Sequence, residues 1–224
     1  MVGILPAWAS EGGVDSSLQG EVQALVKHIQ ARYEKTKDLQ ADFIQKTKIE
    51  GFERPILSRG KVYLKRPGQL RWDYLEPANE CIYVAHDDVK VYVPEHKQVL
   101  VGKLTQMAAS KAPLELLQGV GKLEESFDIR PTEGKERGAG GLPLLTLLPK
   151  ALVAESTKTI QKIVIEVFPK TYFLRTVSLY ERSGNVSTFE FSEPMANMGL
   201  AANIFEFVIP PDVEIVKAPI LSGP

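Results

Sequence analysis

From residue 38 to 101 apolar side chains recur at every second position, interrupted only by short polar turns. Side chains alternate between the two faces of a strand, so such a stretch folds as successive strands with one face buried. Leu39, Ala41 and Phe43 share a face of the first strand. In 60–74, Val62, Leu64 and Arg66 share a face opposite Lys61, Tyr63 and Lys65. After the Pro67-Gly68 turn, Leu70, Trp72 and Tyr74 alternate with Gln69, Arg71 and Asp73. Segments 81–85, 88–93 and 97–101 continue as a meander, with turns at 87–88 and 94–96. Val89, Val91 and Val93 alternate with Lys90 and Tyr92, which leaves one side for a core and the other for water.

Other periods flank this run. Val22, Leu25, Val26, Ile29 and Tyr33 recur at helical spacing over 18–36, and Ser16 with Gln19 fits a capping box. Residues 102–121 break the strand rhythm with short helical pieces at 105–110 and 113–118, the latter opening on Pro113. Leu114, Leu116 and Leu117 of this insert need an apolar surface, and the concave face of the sheet supplies it. Strands are expected again at 123–129, 142–148, 160–168, 172–181 and 186–193, with a last edge strand at 205–208 before Pro210-Pro211. Loops fill 150–158 and 131–141. The latter, charged and rich in glycine, reads as a flexible surface loop or exposed hairpin tip. The tally is about eleven strands, nearly all antiparallel, in a mainly β (α+β) chain.

Several function classes fall away. The net charge of −1 gives no basic field for nucleic acid. Cys81 is the one cysteine, so no intramolecular disulfide forms, and its apolar surroundings read as a buried small hydrophobe. His28, His86 and His96 make no spaced metal pair with a carboxylate and join no nucleophile–base pattern. Gly119-Val120-Gly121 and Gly138-Ala139-Gly140 lack what a dinucleotide or phosphate loop requires. No enzyme, cofactor or metal is expected.

Residues 1–9 are apolar, and Ala7-Trp8-Ala9 fits the small-x-small pattern before a signal-peptidase cut. The expectation is a signal-peptide remnant and flexible N-terminus over 1–17, then a single domain over 18–224.

Arg66 is the oddity, a cation where the alternation calls for an apolar residue. Before Pro67, at a strand end, it reads as a solvated side chain with its stem on apolar surface. Alternatively its five donors point into a concavity and grip carbonyl oxygens of whatever covers it.

The segment Lys65-Arg66-Pro67-Gly68-Gln69-Leu70-Arg71-Trp72-Asp73-Tyr74 resembles the hallmark of the periplasmic outer-membrane lipoprotein carriers, the LolA family. So do 39–46 upstream, the hairpin of 89–101, and later landmarks at 112–117, 127–129 and 205–211. The likeness covers about 18 to 215. It implies a strongly curved antiparallel sheet, an incomplete half-open β-barrel, with helices covering a concave apolar cavity. It also implies that Arg66 holds the helical lid, and that acyl chains lie against Phe43, Val62, Leu64, Leu70, Trp72, Ile29, Tyr33, Leu114 and Leu117. Leu70 departs from the pattern, standing where relatives often carry an aromatic ring. The partners implied are acylated lipoproteins as cargo, an inner-membrane lipoprotein-releasing ABC transporter of the LolCDE type and an outer-membrane acceptor of the LolB type. A monomer in the periplasm, exported by a cleavable signal peptide truncated here, is expected. The alternative is a periplasmic regulator that senses lipid or lipoprotein with the same half-barrel. An acceptor that is itself a lipoprotein would need a cysteine at its mature N-terminus, and Cys81 is too deep in the chain.

Overall fold

The computed structural model describes residues 16–104, 117, 123–150 and 159–217. Helix α1 (Ser16–Glu34) buries Leu18, Val22, Leu25, Val26, Ile29 and Tyr33, one stripe at three- and four-residue spacing. It ends where the Thr36 hydroxyl donates to the Arg32 carbonyl at 2.8 Å, and the chain passes directly into β1.

Among the described residues, twelve strands form one sheet: β1 (Asp38–Lys48), β2 (Ile56–Lys65), β3 (Gln69–Glu76), β4 (Glu80–Ala85), β5 (Asp88–Val93), β6 (Gln98–Lys103), β7 (Phe127–Pro131), β8 (Leu145–Pro149), β9 (Ile160–Val167), β10 (Leu174–Glu181), β11 (Val186–Ala196) and β12 (Glu214–Lys217). Their order is β12-β6-β5-β4-β3-β2-β1-β11-β10-β9-β8-β7. Two meanders, β1–β6 and β7–β11, therefore join through the antiparallel β1–β11 pair, Phe43 opposite Phe191. The outer strands, β12 and β7, do not pair with each other, so the sheet is an open half-barrel. Inward residues of both meanders and the stripe of α1 make one buried cluster.

Four expectations need correction. Residues 123–126 are a helical turn, α2 (Leu123–Ser126), and only Phe127 onward is strand. Leu123 and Phe127, both buried, are four residues apart, a helical spacing rather than an alternating one. The 205–208 strand is absent: a 3₁₀ turn occupies Ala202–Phe205, and the last described strand is β12, parallel to β6. The aromatic residues there anchor side chains instead. Phe207 stacks on Tyr83 at 4.9 Å and packs on Tyr92 at 5.2 Å, while the Arg71 Nη1 donates to the Ile204 carbonyl at 3.2 Å. Cys81 is half-buried and faces away from the core, opposite Asp73. Burial, reinforced by the Asp73 carboxylate, pushes its thiol up to about 11, which leaves little thiolate at neutral pH. Lastly, of the two readings of 131–141 the hairpin connection holds, since β7 and β8 pair antiparallel across it, but it carries two short 3₁₀ turns and an Arg137–Pro143 bridge rather than a plain loop.

The C-terminal strap starts from a buried anchor. Asp38, 4% exposed, accepts from the backbone N–H groups of Met198 (2.7 Å), Gly199 (3.0 Å) and Leu200 (3.3 Å). Hydrogen bonds to a charged acceptor are among the stronger ones, and the variant loses three of them. Asp38→Ala is therefore expected to lower stability by about 2–3 kcal/mol and to open 197–217 to proteolysis, read by urea unfolding and limited digestion.

Candidate functional site

The concave wall follows from the strand register. Leu39 pairs with Leu64 and Ala41 with Val62 across β1–β2, and Leu64 with Leu70 and Val62 with Trp72 across β2–β3. All these side chains therefore share the inner face. Phe43 meets the Trp72 ring at 4.6 Å, and Phe189 and Phe191 approach that ring edge-on at 5.5 and 6.0 Å. Helix α1 lays Ile29 and Tyr33 over this wall. The structure thus brings Phe43, Val62, Leu64, Leu70, Trp72, Ile29, Tyr33 and Leu117 into one buried cluster. Leu114 lies outside the described residues.

Between Tyr33, Leu64, Leu117 and Phe191 remains a void of about 20 Å³, room for about one water. Nothing the size of an alkyl chain enters unless the cover moves. The other end of the concavity is an open mouth of about 450 Å³, where Gln45, Thr47, Ser58, Glu76 and Glu181 join Leu179 and Phe189. Desolvating those carboxylates and hydroxyls opposes an alkyl chain there. The residues expected to receive acyl chains lie at the end under α1.

Tyr33 and Arg66 lie beside the α1–β1 junction. The Tyr33 hydroxyl accepts from the Leu174 N–H at 3.2 Å. Burial pushes its phenol well above the usual tyrosine range, with this hydrogen bond and the Arg66 charge nearby acting the other way. The Arg66 N–H donates to the Lys37 carbonyl at 2.8 Å, joining the end of β2 to the α1–β1 junction. Nε and Nη2 of its guanidinium are buried with no acceptor among the described residues, as is the Trp72 indole N–H. The solvated strand end is not what is seen. The insert that the resemblance places as a lid is 102–121, of which 102–104 and Leu117 are described.

Sequence reasoning missed how α1 is fastened along its flank. The Arg32 Nε donates to the Thr171 carbonyl at 2.7 Å and its guanidinium lies 5.0 Å from the Phe173 centroid. His28, exposed, stacks on Tyr172 at 4.8 Å. His28 and Arg32 are four residues apart beside the apolar stripe, but their partners are more than a hundred residues away in sequence. Among the described residues, histidine, cysteine and acidic side chains form no group of three able to hold a metal. No helix there is long and apolar enough to cross a membrane.

Comparison with known proteins addresses what such a concavity is for. Residues 34–208 match the family model of the outer membrane lipoprotein carrier protein LolA. The chain belongs to the LolA family. Among its relatives, the outer-membrane lipoprotein carrier protein of Dechloromonas aromatica is 26% identical over 213 residues, 95% of this chain and 91% of that one. That of Pseudomonas syringae pv. syringae is 28% identical over 184 residues, 82% and 84% of the two chains. The fold is shared with an uncharacterised conserved protein from Thermus thermophilus. That match has a TM-score of 0.54 at 13% identity, covering 88% of this chain and 98% of that one. LolA is a family of carriers, and the half-barrel with its apolar interior is the lipoprotein-binding fold of that family.

Proposed function

We propose that this protein is a soluble periplasmic chaperone. It takes the acyl chains of lipoproteins leaving the inner membrane and carries them to an acceptor at the outer membrane. The observation that carries this reading is the apolar wall under an amphipathic helix, with a void between them too small for an alkyl chain. Each methylene moved from lipid into water costs about 0.8 kcal/mol, so a sixteen-carbon chain costs about 12 kcal/mol. A carrier offsets this with its own apolar surface, and here that surface exists already but is covered by α1. Cargo therefore exchanges with the helix rather than filling a standing pocket. The empty, closed state and the loaded, open state are then close in energy, which release requires.

On this reading Arg66 holds the cover where α1 meets β1, through its backbone N–H on the Lys37 carbonyl, and Phe43, Val62, Leu64, Leu70, Trp72, Ile29, Tyr33, Leu114 and Leu117 receive the chains. Residues 18–224 act as a single domain. Loading comes from an inner-membrane lipoprotein-releasing ABC transporter of the LolCDE type and unloading goes to a LolB-type acceptor. No covalent step is involved.

Native mass spectrometry of the protein with a triacylated lipopeptide, and with the same peptide unacylated, tests the reading. One-to-one loading that needs the acyl chains is the expected result. Equal binding of both peptides, or of neither, overturns it.

A further inference from the structure

The segment between β7 and β8, glycine-rich and charged, presents one arginine to the N-terminal half of the covering helix. We propose that Arg137 and Glu21 form an ionic latch that holds α1 shut, so that cargo access is set by this ion pair. The consequence for cargo rests on the carriage reading above.

Helix α1 continues into β1 at its C-terminal end. Its C-terminal half is also held by the Tyr33 and Arg32 hydrogen bonds. Motion that uncovers the wall therefore swings the N-terminal half. Glu21 lies there, about 18 Å along the axis from Tyr33 at 1.5 Å per residue. Its carboxylate receives both terminal nitrogens of Arg137, Nη1 to Oε2 at 2.7 Å and Nη2 to Oε1 at 3.1 Å. This paired geometry fixes direction as well as distance.

The segment is built to hold that arginine out. Arg137 Nη1 also donates to the Gly141 carbonyl at 2.8 Å, and the Gly138 N–H to the Leu142 carbonyl at 2.8 Å. The Ala139 N–H donates to the Glu166 Oε1 at 2.8 Å, and Arg175 and Thr176 hold the same carboxylate from β10. The glycines let the segment press this close. A Cβ on Gly138 would sit 2.7 Å from the Glu166 Cγ, and one on Gly140, whose φ is +65°, 2.6 Å from the Pro169 Cγ. What looked like a loose tip is a platform fixed to β9.

The strength of the latch suits its task. Both side chains are a little over 40% exposed, and exposed pairs shift an equilibrium by only about two- to five-fold. Such a bond restrains the helix yet yields when acyl chains compete for the wall. It also weakens with salt, because charges in contact with water are screened.

Hydrogen exchange of the α1 amides, measured without lipid, tests the latch on wild type, Arg137→Ala, Glu21→Gln and the charge-swapped pair Glu21→Arg with Arg137→Glu. Each single variant is expected to exchange about two- to five-fold faster over 18–29, with the swapped pair returning toward wild type. Molar salt should speed wild type and leave Arg137→Ala unchanged. Equal exchange in wild type and Arg137→Ala overturns the latch, as does a swapped pair no slower than the single variants. Lipopeptide uptake is measured on the same proteins. Faster α1 exchange in the single variants, with no uptake by wild type, keeps the latch and removes the carriage reading.

Discussion

Leucine in place of Arg66 is expected to make the empty protein more stable and its cargo slower to leave. Two guanidinium nitrogens are buried without acceptors among the described residues, and a buried donor left unpaired costs about 1–3 kcal/mol. The shorter, apolar leucine removes that cost, so calorimetry should show a rise in Tm of about 2–4 °C for each kcal/mol recovered. The same change makes the wall more apolar next to Tyr33. Retention stronger by about 1.4 kcal/mol slows release roughly ten-fold, read as transfer of a fluorescent lipopeptide to acceptor vesicles. An unchanged Tm with unchanged transfer would return Arg66 to the role of an ordinary strand end.

Gly60→Ala is expected to cost about 3 kcal/mol or more, the upper end for overpacking a filled core. Gly60 lies where β2 and β3 shift register. A Cβ there would overlap the Asp73 carbonyl and sit 2.9 Å from the Phe43 Cε1. Either the β2–β3 ladder parts or the Phe43 ring moves, and Phe43 rests on Trp72. Urea unfolding followed by tryptophan fluorescence reads both effects, a lower midpoint and a shifted Trp72 emission. Gly20→Ala is the control. No described neighbour lies within 4 Å of a Cβ there, so α1 should gain about 0.8–1 kcal/mol from the better helix former. If Gly60→Ala proves as mild as that control, close packing across β2 and β3 is not what the glycine serves.

The chain's own pattern reached far. The two-residue alternation from 38 to 101 located β1–β6, although β2 begins at Ile56, four residues before the stretch read from 60, and the stripe from Val22 to Tyr33 located α1, because both report burial of one face, a local property. The family motif around Arg66 pointed to the wall that Phe43, Val62, Leu64, Leu70 and Trp72 form together. Where a segment's partners were other side chains, the pattern misled. Phe205 and Phe207 alternate like a strand, yet Phe207 serves to pin the C-terminal strap on Tyr83 and Tyr92.

The amino-acid sequence by itself therefore determined which residues lie in strands, which face they bury and to which family the chain is akin. Only the tertiary structure decided that the wall is closed, that Arg66 turns inward with donors unpaired among the described residues, and that 131–141 is a platform reaching α1. Those outcomes depend on contacts between groups far apart in the chain, such as Glu21 with Arg137, Tyr33 with Leu174 and Asp38 with the N–H groups of 198–200. The reason is physical: periodicity records how much surface a residue hides, whereas a hydrogen bond or ion pair depends on where its partner is held.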